Sequence, residues 1–394
     1  MIAVFDVAAP HVLRNPYAVF SEMRRASAVC KLMPTGFLSV GRYQDVLSLL
    51  QNSKHFSNTG YTASIPPELR SPGSASASIV QMDPPRHGKL RGLVTKAFTP
   101  RTIAQLEPRI RQISHELVEA VAGQRECELV QDITVPLPMI VIAELLGVGP
   151  ERRRDFKRWS DDSVSSLSLI KAGNVAQVKK SAQEFAHYFS GEIELRRREP
   201  KEDLISLLMQ AEVEGAQLTS EEVLRFINTL LIAGNETTTS LIGNTLVTLT
   251  NHPEVFEEVR ANPSLIPQLV EEVLRYESPA QCIFRQTTTD LEVGGEHLPQ
   301  GSIVLPLLAS ANRDESRFPD PDRFDIHRDT QGHLAFGKDI HFCLGAPLAR
   351  LEAKVMLEVM LSRWKGLQRV EPEVAWTSSF FIRSPERLRL LARA

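Results

Sequence analysis

The sequence predicts a mainly α-helical protein with small β-sheets. Five long stretches carry apolar residues at three- and four-residue spacing, which gathers them on one face of a helix: 101–122, 155–198, 220–251, 264–277 and 346–364. Strand-like pieces are short and few, at 36–40, 290–293, 302–307 and within 367–391. No repeat or low-complexity tract breaks the 394 residues. The polar run 71–76 reads as a long loop over a site, so a single domain over 1–394 is expected.

Composition narrows the function classes. A formal net charge of -3 offers no general attraction to nucleic acid or acidic membranes, so neither is expected as a partner. Asp6, His11, Arg14 and Asn15 interrupt any apolar targeting segment, and no run of about 18 uncharged apolar residues occurs elsewhere. The four cysteines, Cys30, Cys127, Cys282 and Cys343, are scattered without CxxC pairing. That argues against a disulfide framework or zinc knuckle, and a reducing cytoplasm is the expected setting.

In chain order, His87 and Arg91 come first, four apart on one side of a helix within DPPRHGKLRGLVTKAFTPR. Thr219 and Glu222 have the capping-box spacing at the start of 220–251, a helix of about 48 Å that could cross a whole domain. Within it, Ala233-Gly234-Asn235-Glu236-Thr237-Thr238 is locally unfavourable, because glycine costs about 1 kcal/mol against alanine and threonine is a poor helix former. Such disfavour points either to a kink with threonines bonding back to carbonyls or to a use. Glu272 and Arg275 lie three apart on one helical face, as an exposed ion pair also would, and Arg285 follows. Finally, a glycine-bearing loop leads Cys343 to the start of 346–364. There the helix dipole and free backbone N–H groups favour thiolate over thiol, and a thiolate binds a soft or borderline metal.

The segment Phe336-Gly337-Lys338-Asp339-Ile340-His341-Phe342-Cys343-Leu344-Gly345, followed by Ala346-Pro347-Leu348-Ala349-Arg350, resembles the haem-binding loop of cytochromes P450, FGxGxHxCxG. Every fixed position matches except Asp339, where a second glycine is usual. Ala233-Gly234-Asn235-Glu236-Thr237 resembles the oxygen-binding groove of the same family, AGx(D/E)T, and Glu272-Val273-Leu274-Arg275 its ExxR pair. Pro321-Asp322-Arg323-Phe324 resembles the later segment that contributes a third partner. These matches span most of the chain in the correct order. They imply the cytochrome P450 fold, with heme b (iron protoporphyrin IX) between the long central helix and the Cys-loop helix.

The resemblance also implies roles. Cys343 is the iron ligand and Phe336 packs beside its thiolate, while Gly337, Leu344, Gly345, Ala349, Ala233 and Gly234 contribute to the haem site. His87, Arg91, Arg285 and His341 approach the propionates, where cationic donors meet carboxylates. Glu272, Arg275 and Arg323 brace the loop, and Glu236 and Thr237 deliver protons to bound dioxygen. At Asp339 the turn is expected to need a left-handed or bridge backbone, which aspartate adopts more readily than most residues.

The implied activity is a monooxygenase that hydroxylates or epoxidises a lipophilic small molecule with O2. No segment resembles a flavin, nicotinamide or iron-sulfur domain, so a separate ferredoxin-type donor and its reductase are expected, with Lys96, Arg101, Lys338 and Arg350 offering a basic docking patch. Substrate contacts are expected from Thr229, Ile232, Ala233, Gln281, Ile283 and Phe380, with Phe381 and the stretches 58–80 and 158–178 also lining the pocket. This predominantly apolar set suits a fatty acid, terpenoid, steroid or macrolide. A monomer is expected. Two other readings carry less weight: a peroxide-driven peroxygenase and a non-catalytic haem sensor. Glu236-Thr237, with no proline in the long helix, disfavours the first, and proton-delivery residues would be dispensable in the second.

Overall fold

A computed structural model describes residues 2–60, 78–165, 174–213 and 216–393; the run 71–76 and parts of 58–80 and 158–178 lie outside them. The chain forms two compact units, each assembled from separated segments: Met1–Phe56, Leu106–Leu137 and Thr237–Ala394 in the first, Ser57–Gln105 and Pro138–Glu236 in the second.

In the first unit, strands Ala3–Asp6, Val29–Met33, Leu38–Val40, Ile303–Pro306 and Arg285–Thr287 lie side by side in that order. Val29, Val40 and Val304 project from this sheet into a core with Leu49, Leu298 and Leu308. A second small sheet joins Gly366–Arg369, Arg389–Arg393 and Glu126–Glu128. Helix Ala346–Arg363 packs on Glu107–Ala122 on one side and on Ile266–Tyr276 on another. The second unit is helical: Arg153–Ser165 and Val175–Arg198 pack through Phe156, Trp159, Phe185, Tyr188 and Phe189, whose rings meet mostly edge to face.

Three expected helices appear within two residues of their predicted ends: Ser220–Asn251, Ile266–Tyr276 and Ala346–Arg363. The other two are divided. Stretch 101–122 becomes Pro100–Ala104 and Glu107–Ala122, because Pro108 lacks an N–H and fits only the first turn of a new helix. Stretch 155–198 is taken up by Arg153–Ser165, which starts two residues earlier, and Val175–Arg198, the latter opened by Asn174, whose side chain accepts the Gln177 N–H. Helices Tyr17–Ala26, Tyr43–Gln51 and Pro253–Ala261 have no counterpart among the expected elements, since two or three turns carry too few apolar repeats to stand out.

The predicted capping box forms at the start of the long helix. Thr219 N–H donates to Glu222 Oε2 at 2.9 Å, and Glu222 N–H donates to Thr219 Oγ1 at 3.2 Å. Residues 238–249 are buried throughout, and the hydroxyls of Thr245 and Thr248 bond back to the carbonyls of Leu241 and Asn244. Pro253 then starts the next helix.

Glu352, on helix Ala346–Arg363, is 1% exposed, and its Oε2 has no hydrogen-bond partner. Burial pushes its carboxyl from 4.5 up to about 8. Between those values the folded state holds a proton that the unfolded state releases, so this group makes stability fall as pH rises from about 4.5 to about 8. Thermal unfolding at steps from about pH 5 to about pH 8 should therefore show a smaller decline for Glu352→Gln than for wild type. Parallel declines would mean that Glu352 ionises freely.

Candidate active site

The Cys343 loop is shaped by its own backbone. Gly337 has φ +70° and Asp339 φ +60°, so two left-handed residues turn the chain sharply. The position where glycine was expected is thus left-handed, and aspartate occupies it. Gly337 N–H donates to Leu334 O at 2.8 Å and Phe342 N–H to Asp339 O at 2.9 Å. Cys343 N–H donates to Phe336 O at 2.9 Å, which closes the loop. Gly345 then caps helix Ala346–Arg363, and a Cβ built on it would stand 4.0 Å from Cys343 Sγ. The thiol therefore lies against a helix N-terminus, where an anion is favoured.

Cys343 differs from the other cysteines. It is half-buried, whereas Cys30, Cys127 and Cys282 are buried, and burial raises all three thiols, Cys30 to about 11. Those three are packing residues. Around Cys343, Phe336, Gly337, His341, Leu344, Gly345 and Ala349 are each half-buried, so the loop keeps one face open.

Below this loop lies the Glu272–Arg275 pair, both side chains 0% exposed. Arg275 Nε and Nη2 donate to the two carboxylate oxygens at 2.7 and 2.8 Å. The remaining donors reach backbone carbonyls of Asn312, Pro321 and Arg323 at 3.0, 2.9 and 3.3 Å. Asn312 in turn accepts the Leu334 N–H on Oδ1. One structural assignment needs correction here. The Arg323 side chain is 70% exposed and pairs with Asp325, so Arg323 contributes only its carbonyl. Arg328, 10% exposed with Nε 3.6 Å from Glu272 Oε1, is the third charged member. Arg275 already satisfies the buried carboxylate, and of Arg323 and Arg328 only the second turns inward to add charge beside it.

Sequence reasoning also missed Glu271 and His333. Arg350 grips Glu271 with two donors, Nη2 at 2.9 Å from Oε2, and His333 Nε2 lies 3.0 Å from the same oxygen. Burial alone would raise the Glu271 carboxyl, but these partners win and hold it down to about 2. Arg350 is therefore engaged in an ion pair, not a freely offered docking charge. Its guanidinium carbon lies 4.5 Å from the Phe336 ring centroid. Of the other basic candidates, Lys96 donates to the Glu212 carbonyl, and Arg101 and Lys338 are exposed.

Along the long helix the burial pattern changes at the motif. Thr229, Ile232, Gly234, Glu236 and Thr237 are half-buried and Ala233 is exposed. Gly234 is explained by close packing: a Cβ there would meet Ile142 Cδ1 at 2.8 Å. Asn235 is buried and donates to Ser160 Oγ at 2.8 Å. Desolvation, with the Asp161 charge adding in the same direction, raises the Glu236 carboxyl to about 7. Thr229 Oγ1 donates to Arg225 O and lies 2.6 Å from Ser78 Oγ.

In the second unit, His87 is buried and Arg91 half-buried on helix Arg86–Thr95; burial, then the Arg91 charge, lowers the His87 pKa. In the first unit, Arg285 is buried and Nη1 donates to Phe284 O at 2.8 Å. Ile283 is half-buried. Gln281 and Phe380, expected to touch substrate, are both buried: Gln281 Nε2 donates to Ser278 O, and Phe380 packs edge to face on Phe20. The half-buried ring is Phe381, tilted against Phe284 at 5.0 Å. Phe20, on helix Tyr17–Ala26, takes the first of the two adjacent phenylalanines inward.

The donor set accommodates haem. Among the described residues no three His, Cys, Asp or Glu cluster as a metal site, so Cys343 stands as a single protein donor, as a macrocycle-held metal requires. A single half-buried thiol at a helix N-terminus, with an open loop face beside it, suits that arrangement.

Comparison with known proteins agrees. The family model described as "Cytochrome P450" matches residues 156–390. The chain is 39% identical to the cyclomarin C epoxidase CymV of Salinispora arenicola, over 96% of both chains. Among solved structures it is similar to cytochrome P450 CYP109Q5 from Chondromyces apiculatus, at TM-score 0.95 and 66% identity over 100% of this chain and 99% of that one. CYP109E1 from Bacillus megaterium, solved in complex with corticosterone, gives TM-score 0.88 and 37% identity over 98% of this chain and 100% of that one.

The left-handed backbone at Asp339 makes a testable demand. Asp339→Gly should fold with little change in stability, whereas Asp339→Val should lose about 1–3 kcal/mol, because a β-branched side chain tolerates the left-handed region far less than aspartate does. Thermal unfolding measures both; equal melting temperatures would show that position 339 is unconstrained.

Proposed function

The chain belongs to the cytochrome P450 family, and we propose that, as a monooxygenase, it places one atom of O2 into a lipophilic small molecule by hydroxylation or epoxidation. The observation that carries this is Cys343, the half-buried thiol held at a helix N-terminus by a loop that the buried Glu272–Arg275 pair supports. Haem b bound there would supply oxygen activation, helped by the electron density that a thiolate ligand donates.

The protein's own residues do the rest. Cys343 would ligate the iron, with Phe336, Gly337, Leu344, Gly345, Ala349, Ala233 and Gly234 contributing to the haem site. His87, Arg91, Arg285 and His341 would meet the propionates. Glu236, raised to about 7, can hold a proton at neutral pH and still release it, and Thr237 follows it on the helix as a hydroxyl relay. Ile232, Ala233 and Ile283 present apolar surface to substrate, with Thr229 a polar contact and Phe381 the more accessible ring. The corticosterone complex of CYP109E1 makes a steroid the first substrate to test.

Electrons would come from a ferredoxin-type donor and its reductase. No helix among the described residues is long and apolar enough to cross a membrane, and a cytoplasmic monomer is the state proposed.

Two measurements test this reading. The reduced carbon-monoxide complex of wild type should show the red-shifted Soret band of thiolate ligation, and Cys343→Ala should lose it; identical spectra would refute Cys343 as the ligand. Product formed per electron pair tests proton delivery. Below about pH 7 Glu236 is an acid and above it a carboxylate, so coupling should fall as pH rises through about 7. Glu236→Gln should lower coupling and abolish that inflection, and Thr237→Ala should divert electrons to peroxide or water. Unchanged coupling in both variants would remove these residues from the mechanism.

A further inference from the structure

Glu271 and Glu272 are neighbours on one helix but face different ways, because consecutive helical side chains are about 100° apart. Glu272 turns to Arg275 and the core. Glu271 turns to Arg350, on the helix that Cys343 precedes, and accepts from Nε and Nη2 together. This grip has work that packing does not do: a cavity of about 130 Å³, lined by Pro267, Val270, Glu271, Arg350, Leu351 and Lys354, opens beside the guanidinium. With space on that side, the two-pronged carboxylate contact keeps Arg350 over the Phe336 ring. Phe336 is the residue whose carbonyl accepts the Cys343 N–H.

We propose that Glu271 is a positioning residue for the proximal thiolate: by fixing and neutralising Arg350 over Phe336, it sets the charge beside the Cys343 loop and with it the reduction potential of the iron Cys343 would hold. This rests on the haem-thiolate reading of Cys343. The physical basis is electrostatic. An uncompensated cation near the ligand stabilises the state that has gained an electron, and an uncompensated anion destabilises it. Glu271 and Arg350 together are nearly neutral toward the iron, and removing either member unmasks the other.

The signature is a pair of shifts with opposite sign. In the haem-loaded protein, Glu271→Gln should raise the ferric/ferrous midpoint potential and Arg350→Met should lower it, with the double variant returning toward wild type. Glu271→Asp, which keeps the charge, should stay near wild type. A merely structural loss would lower haem content or move both single variants the same way. Spectroelectrochemical titration reads the potentials, and the carbon-monoxide band in each sample confirms thiolate ligation. Absence of that band in wild type would remove the haem-thiolate reading of Cys343 itself. A normal band with both potentials unmoved, or moved together, would overturn the role of Glu271 alone. Should Glu271→Gln fail to fold, Arg350→Met decides: a potential that does not fall overturns the proposal.

Discussion

Two opposite charges held wholly out of water are the constraint on which the Cys343 region depends. Glu272 and Arg275 gain little from mutual attraction once desolvation is counted, and breaking such a pair costs about 3–5 kcal/mol because one charge is left buried alone. The pair is tolerable only because the surrounding segments finish its hydrogen bonds. Arg275 uses the carbonyls of Asn312, Pro321 and Arg323, and Glu272 takes the Asp325 N–H. Those segments are thereby tied to one helix. Asn312 passes the constraint on by accepting the Leu334 N–H, two residues before Phe336.

Burial acts differently on three glutamates. At Glu352 desolvation is the whole cause, and the acid stays protonated up to about 8. At Glu236 desolvation dominates and Asp161 reinforces it, which leaves a carboxyl near neutrality. At Glu271 the same penalty is outweighed by Arg350 and His333, and the group remains an anion. One residue type thus supplies a silent buried acid, a group able to exchange protons at neutral pH, and a fixed charge. Environment separates the roles.

The loop and the long helix were legible because their determinants are local. A capping box needs only Thr219 and Glu222, three residues apart, and it forms as the spacing predicts. The backbone at Asp339 follows from a turn that demands φ > 0 and a residue that tolerates it. Cys343 stands out for its place between a glycine-bearing turn and a helix N-terminus. Helix interruptions were less legible: Asn174 is one polar residue among many until its side chain caps a helix.

By itself, then, the sequence determined the mainly helical class, the long helix with its acid and threonine, and the cysteine loop. Tertiary structure decided which side chains face which partner. Arg323 and Arg328 share one short segment, and nothing local says that the second turns toward Glu272 while the first stays in water. Phe380 and Phe381 are adjacent, and Phe20, distant in sequence, takes the first. Nothing in the local sequence marks Glu271; Arg350 and His333, which close on it, come from elsewhere in the chain. The reason is physical: backbone preference and periodicity are set within a few residues, whereas the energy of a charge or a buried ring depends on what removes water from it, and those groups come from elsewhere in the chain.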